Sequence, residues 1–325
     1  MNRQNVFNIS SSSHFETLAL EVFNYQYTHN PVYQNFCSYL KVHPQNVQSL
    51  KQIPFLPIQF FKSHKIISGS RPAEKIFTSS GTTGSTVSKH FVTYLDLYIK
   101  SFQTAFRQFY GPAQQYVILA LLPSYLERDG SSLIYMTQHL IESSGHKESG
   151  FYLHDLHSLH SLLRDLESKN VKTLLLGVTF ALLDFAEKYP MPLKNTFIME
   201  TGGMKGRRKE MIRDEVHKIL CNAFKVPEIH SEYGMTELLS QAYSKGKGVF
   251  RCPPWMKVLT RDTEDPLSFQ TSGRTGGINV IDLANIYSCS FIATQDLGKV
   301  YEDGSFEILG RFDHSDIRGC NLMAL

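Results

Sequence analysis

IFTSS (76–80), YVILALL (116–122), VKTLLLGV (171–178) and NTFIMET (195–201) are four short apolar runs spaced through the middle of the chain. Each has the length of a strand and is too short for a buried helix. Between the first two, Leu95, Tyr98, Ile99, Phe102, Phe106 and Phe109 recur with a period of about 3.6 residues, as on a helix with one apolar face. Strands alternating with amphipathic helices predict a layered α/β fold on a mainly parallel sheet, because a parallel crossover usually needs a helix to make the return.

Outward from this region the pattern changes twice. Residues 1–75 read as helical and loop-rich: Ser13 and Glu16 have capping-box spacing ahead of an apolar stripe through Leu18, Val22 and Phe23, which predicts a helix over 14–28. Pro54 and Pro57 in QIPFLPIQFF mark an irregular segment, since proline lacks the amide hydrogen that regular elements use. After Lys245 the helical period fades. GGINVIDL, SFIATQDLG, KVYEDG and SFEILGRF read as short strands, with EDGS as a hairpin turn. The expected division is one domain over 1–310, with an α/β core at 76–245 and a smaller β-rich subdomain at 246–310, followed by a short tail at 311–325.

Composition narrows the function classes. With 33 basic and 30 acidic side chains in 325 residues, there is no charge excess to favour a nucleic acid partner. An apolar share of 42% against 19% charged excludes a disordered chain. MNRQNVFNISSSSHF at the start lacks the apolar run of a secretory signal, and no apolar stretch reaches the roughly 18 residues that cross a bilayer. A cytoplasmic protein without a membrane span is therefore expected. Cys37, Cys221, Cys252, Cys289 and Cys320 have no paired spacing and read as free thiols.

TSSGTTGSTVS (78–88) consists of Ser, Thr and Gly apart from Val87, and Lys89 follows it. Such a loop offers hydroxyls and unobstructed amides to phosphate oxygens, with a lysine to offset their charge. Composition alone fits a surface loop equally well, and the pattern is neither a Walker A loop nor GxGxxG. The order of residues is more specific: Ser80, Gly81, Thr82, Thr83 and Gly84 with Lys89 resemble the phosphate-binding loop of the adenylate-forming enzymes, the superfamily of acyl-CoA synthetases, firefly luciferase and peptide-synthetase adenylation domains. Tyr233-Gly234-Met235-Thr236-Glu237 is similar to the YGxTE segment of that superfamily. Asp296 in ATQDLG looks like its ribose-binding aspartate, and GRFDHSDIRG (310–319) resembles its hinge motif, with Arg311 at the ribose position. METGGMKGRR (199–208) stands where the adenine-side glycine loop would be. Gly202 and Gly203 form its turn, and the predicted helix over 205–223 puts Lys205, Arg207 and Arg208 in its first turns, where the dipole disfavours cations unless an anion binds there.

This resemblance implies ATP and Mg²⁺ as cofactors. It places the phosphates at the Ser80–Lys89 loop, the base at Tyr233, the reacting phosphate at Thr236, Mg²⁺ at Glu237 and the ribose at Asp296 and Arg311. A carboxylate attacking a phosphate meets like-charge repulsion, which a metal with hard oxygen ligands reduces.

Across the chain, IPFLPIQFFK, SSGTTG, TGGMKGRR, YGMTE and GRFDHSDIRGC resemble the LuxE family, the acyl-protein synthetase component of bacterial fatty acid reductase. The resemblance implies activation of a fatty acid as its adenylate, transfer to a cysteine near the carboxyl terminus, matched by Cys320, and delivery to an acyl-accepting reductase or carrier protein. A thiol suits that step, and Arg318 beside it would favour the thiolate; on chemistry alone, a lone cysteine more often fills space. Most adenylate-forming enzymes carry a mobile domain of roughly a hundred residues beyond the hinge, which supplies a lysine. Here 14 residues follow Arg311. The expected architecture is a layered α/β adenylate-forming domain with a β-rich, distorted barrel-like subdomain and without that mobile domain, leaving Lys205 to stand in for the missing lysine's charge while Lys89 serves the phosphate loop. A truncated acyl-CoA or acyl-carrier ligase, and a non-catalytic nucleotide-binding scaffold, stand as alternatives. His154, His157 and His160 recur three apart but read as an amphipathic helix rather than a metal site.

Overall fold

The structure, a computed structural model, describes residues 5–80, 86–124, 128–202 and 211–311. The chain opens with helices α1 (Ser12–His29) and α2 (Pro31–Tyr39), a two-residue strand β1 (Leu56–Pro57) and the short helix α3 (Phe60–Ser63). A ribbon of β2 (Lys75–Thr78) and β3 (Lys89–Val92) follows, then helix α4 (Leu95–Tyr110). Strands β4 (Val117–Leu121), β5 (Gly150–Phe151), β6 (Thr173–Gly177), β7 (Thr196–Glu200) and β8 (His230–Tyr233) alternate with α5 (Ser132–Ser144), α6 (Leu156–Ser168), α7 (Thr179–Lys188) and α8 (Arg213–Phe224). The remaining strands are β9 (Ala242–Ser244), β10 (Val249–Arg251), β11 (Met256–Arg261), β12 (Thr275–Asp282), β13 (Phe291–Val300) and β14 (Phe306–Arg311). Residues 72–253 form one compact unit, and residues 1–71 with 254–325 form another.

In the unit 72–253 the expected parallel sheet is present, in the order β5-β4-β6-β7-β8, and β9 and β10 continue it antiparallel. Every residue of β4 and β6 is buried, because helices cover both faces. On one face Leu119, Leu175 and Ile198 pack with Leu163 of α6, Leu182 of α7 and Leu220 of α8. Each fully buried side chain of this kind contributes about 2 kcal/mol. On the other face, the Tyr110 ring of α4 stacks on Phe197 with centroids 5.1 Å apart.

Three expectations need correction. IFTSS does not join the parallel sheet: among the described residues β2 pairs only with β3, antiparallel, in a separate ribbon. The first helix is capped by Ser11, whose hydroxyl accepts the His14 amide at 3.1 Å, rather than by Ser13. Glu16 instead accepts the Leu50 amide at 3.4 Å. Of the helix predicted over 205–223, residues 205–210 lie outside the described residues; among those described α8 begins only at Arg213, after an extended Ile212, with Asp214 and Glu215 in its first turn, which suits the dipole. Of the three histidines, His157 and His160 lie on α6 and His154 precedes it; His160 stacks on Tyr189 with centroids 4.8 Å apart.

Helix α8 ends on Lys225 at φ 55°, a left-handed conformation in which a Cβ is strained. Relief of that strain by Lys225→Gly, set against glycine's larger unfolded-state entropy, is expected to stabilise the protein by about 0.5 kcal/mol. An increase in the urea midpoint would show it, and a decrease would mean that Lys225 makes a stronger contact than its strain.

In the unit formed by 1–71 and 254–325, β11, β12, β13 and β14 are an antiparallel meander, and β1 runs parallel to β13. The EDGS turn closes β13 onto β14, with the Tyr301 amide donating to Ser305 O at 2.8 Å. Helix α1 is tied to this meander through a buried amide. Gln26 Nε2 donates to Ile286 O at 2.8 Å, and Gln26 Oε1 accepts the Ser290 amide at 3.0 Å. No described helix is long and apolar enough to cross a membrane.

Candidate functional site

In a parallel sheet, ligands meet the carboxyl ends of the strands, where loops and helix starts collect polar groups. In the unit 72–253 two of the sequence motifs follow strands of the parallel sheet, and the base of a third is bonded to one of them. The Ser/Thr/Gly loop leaves β2 and returns on β3. Its base is pinned by the Ser79 amide donating to Ser88 O at 3.1 Å and the Ser88 amide donating to Ser79 Oγ at 3.0 Å. Ser80 is exposed just inside the loop; Lys89 is exposed on β3, paired with Thr78. Beside Lys89, the fully buried His90 donates from Nδ1 to the Thr236 carbonyl at 2.8 Å. The strand that closes the glycine-rich loop is thereby bonded to the YGMTE segment.

That segment follows β8 as a tight turn, with the Leu238 amide donating to Met235 O at 3.1 Å. Tyr233 is buried edge-on against Phe250, centroids 5.9 Å apart; Thr236 is half-buried and Glu237 buried. Gly234 leaves no room for a side chain, because Glu232 Oε1 lies where its Cβ would be.

The glycine turn after β7 is held by a carboxylate. Glu200 is buried and accepts both the Gly202 amide, at 2.7 Å, and the Thr179 hydroxyl. The Thr179 amide donates back to Gly202 O at 3.0 Å. One strand over, Glu232 is pushed up to about 8, first by burial and then by the charge of Glu200. His230, on the same strand, is lowered to about 4 by burial and by Lys245. Two buried polar atoms near Glu232, Gln241 Oε1 and the Tyr243 hydroxyl, have no hydrogen-bond partner among the described residues. Each such orphan costs roughly 1–3 kcal/mol.

In the other unit, the two residues assigned to the ribose are cross-strand partners: Asp296 on β13 faces Arg311 on β14. Arg311 Nε donates to Asp296 Oδ1 at 3.1 Å, with the aspartate side chain 6% exposed and the arginine 62%. An exposed arginine on a buried carboxylate is a weak stabiliser and a good donor fork for hydroxyls.

Gly81, Thr82, Thr83, Gly84, Gly203, Lys205 and Cys320 lie outside the described residues. Sequence reasoning missed Glu200, Thr179, His90 and Glu232. Only Glu200 carried a legible signal, as a carboxylate at the carboxyl end of an apolar strand, directly before TGG. No group of three His, Cys, Asp or Glu side chains among the described residues could hold a metal ion alone. The buried Glu237 carboxylate fits Mg²⁺ in the way that ion is usually held, by one or two carboxylates plus phosphate oxygens.

The family model for acyl-protein synthetase, LuxE, matches residues 7–128. No curated protein matches the sequence. Among solved structures, ATP-bound MatB from Rhodopseudomonas palustris is 18% identical with a TM-score of 0.54, over 73% of this chain and 47% of that one. The chain thus spans about half the length of MatB. A 2-hydroxyisobutyryl-CoA ligase in the postadenylation state with 2-HIB-AMP is 12% identical with a TM-score of 0.64, over 93% of this chain and 68% of the ligase. The chain has the fold of the adenylate-forming ligases and carries, over residues 7–128, the sequence pattern of the LuxE acyl-protein synthetases.

Proposed function

We propose that the protein is an ATP-dependent acyl-protein synthetase: it activates a carboxylic acid, of the fatty class implied by the LuxE resemblance, as its adenylate and passes the acyl group to Cys320 for delivery to a partner. The observation that carries this reading is the His90 to Thr236 hydrogen bond, which joins the strand closing the glycine-rich loop to the YGMTE turn. ATP use is supported by the ATP-bound and adenylate-bound states of the two structural neighbours.

In this reading the acid's carboxylate oxygen attacks the α-phosphate, and pyrophosphate leaves. The hydroxyls and amides from Ser80 to Gly84, with Lys89, hold the outer phosphates, and Lys205 adds positive charge. Gly202 and Gly203 border the adenine and Tyr233 packs on it, while Thr236 bonds the reacting phosphate. Asp296 and Arg311 bind the ribose hydroxyls. Mg²⁺, held at Glu237, would offset the charge between the two anionic reactants. Fixed donors aimed at developing charge supply most of the acceleration in such sites. The anhydride is then opened by the Cys320 thiolate, which releases AMP and forms the thioester.

Acid-dependent exchange of labelled pyrophosphate into ATP tests this. Exchange with at least one acid of an alkanoate panel is expected. Binding of ATP with no exchange for any acid would overturn the enzymatic reading in favour of a scaffold. A second reading, delivery to CoA or a carrier, is favoured by the CoA-bound state of the 2-hydroxyisobutyryl-CoA ligase; acyl-AMP formed without any protein-bound acyl group would select it.

A further inference from the structure

Strands β8 and β9 pair with Glu232 opposite Tyr243 and Tyr233 opposite Ala242. Side chains alternate faces along a strand, so Glu232 and Tyr243 share one face. There the Glu232 carboxylate and the Gln241 Cγ crowd the space above Gly234, and Tyr110 of α4 lies edge-on to the Tyr243 ring at 5.5 Å. Glu232, Gln241 and Tyr243 thus bring three hydrogen-bonding groups into a layer that also holds the Tyr110 ring, His230 bonded to the Tyr110 hydroxyl at 3.3 Å, and the Lys245 ammonium over that ring. Gln241 is 4% exposed and Tyr243 2%, and neither Gln241 Oε1 nor the Tyr243 hydroxyl has a partner among the described residues. Packing alone would be served better by Leu and Phe, which leave nothing unpaired.

The cluster adjoins the reacting position. Gly234 is two residues before Thr236, and the acid whose carboxylate reacts at Thr236 must run its chain through neighbouring space. We propose that Glu232, Gln241 and Tyr243 are specificity-determining residues that receive a hydroxyl group carried on the chain of the acid substrate. This rests on the reading of the protein as an acid-activating enzyme and sharpens its substrate class from a plain alkanoic acid to a hydroxylated one. A hydroxyl donates to Gln241 Oε1 and accepts from the Tyr243 O–H, satisfying both orphans at once. Glu232, held protonated by burial and by Glu200, offers a further O–H. An alkyl chain in the same place would leave both orphans unpaired and drier.

The test is pyrophosphate exchange with matched pairs of acids, alkanoates of four to fourteen carbons and their monohydroxy counterparts. At least one hydroxy acid is expected to exceed its parent in kcat/KM by about tenfold. Tyr243→Phe and Glu232→Leu are each expected to bring that ratio toward one. Because the ratio is taken within one enzyme preparation, partial loss of folded protein does not move it. Preference of the wild type for the plain acid at every length, or an unchanged ratio in both variants, overturns the proposal while leaving acid activation intact. Absence of exchange with every acid overturns the parent reading and this one with it.

Discussion

With ATP, Mg²⁺ and a labelled acid, the wild-type chain is expected to acquire one acyl group that neutral hydroxylamine releases, and Cys320→Ser is expected to acquire less than a hundredth of it. Hydroxylamine cleaves thioesters readily and oxygen esters slowly, so a serine in place of the thiol removes both the acceptor and the signature. Four other cysteines could in principle take the label, and the structure weakens the case for three of them. Cys37 is buried, and burial pushes its thiol up to about 12. At that value only about one molecule in 10⁵ carries a thiolate at neutral pH. Cys289 is fully buried and its thiol is raised further by the same cause. Cys221, on the half-buried side of α8, is raised by burial and by Glu228. Cys252 is half-buried, which makes Cys252→Ser the informative control; it should leave the label unchanged. Persistence of a hydroxylamine-sensitive label in Cys320→Ser would remove Cys320 from the reaction, and its loss in Cys252→Ser would move the role there.

The parallel sheet was legible because β4 and β6 are covered on both faces, so their sequences are apolar at every position and leave no period to confuse. IFTSS was misplaced for the converse reason. A two-stranded ribbon and a central strand can share the same residues, and what separates them is the partner, here KHFV on the far side of the loop. The first helix slipped by two residues because Ser11, Ser12 and Ser13 are equivalent caps in sequence, while only Ser11 has the extended backbone and the bond to His14. At the candidate site, the motifs that touch a common ligand in the resembled family were readable as strings, and Asp296 with Arg311 prove to be cross-strand partners. The supporting groups were not. A lone glutamate in a strand reads as its solvent face, yet Glu200 is buried because Thr179, 21 residues earlier, and its own chain's Gly202 supply its donors. His90 is opaque for the same reason, since its partner Thr236 is 146 positions away.

Stability should fall as pH rises from 6.5 to 8.0, and Glu232→Gln should abolish that fall. The folded chain holds the Glu232 proton up to about 8, against an ordinary value of 4.5, so between those values the folded state binds a proton that the unfolded state has lost. Stability from this source is complete below 4.5 and is lost as pH rises through 8. His230 acts in the opposite sense: lowered to about 4 from 6.5, it contributes stability that is present above 6.5 and lost as pH falls through 4. Between 4.5 and 6.5 these two slopes oppose and cancel each other. Above 6.5 the unfolded histidine gives up its remaining half proton within about one pH unit, which returns about 0.4 kcal/mol, and the rest of the slope is that of Glu232. One proton limits the slope to about 1.4 kcal/mol per pH unit, so the expected net loss between 6.5 and 8.0 is about 1.3 kcal/mol. Burial sets this first and Glu200 on β7 second, both favouring the protonated form, while the phenols of Tyr243 on β9 and of Tyr98 and Tyr110 on α4 are raised by burial and stay neutral throughout. Glutamine keeps the size and the hydrogen-bonding capacity of a protonated glutamate but has no proton to lose. In urea unfolding at the two pH values, Glu232→Gln should therefore lose no stability and gain about 0.4 kcal/mol, and below 6.5 it should expose the rising His230 slope that the wild type conceals. A fall of equal size in both proteins would place the titrating group elsewhere and leave Glu232 ionised in the folded chain.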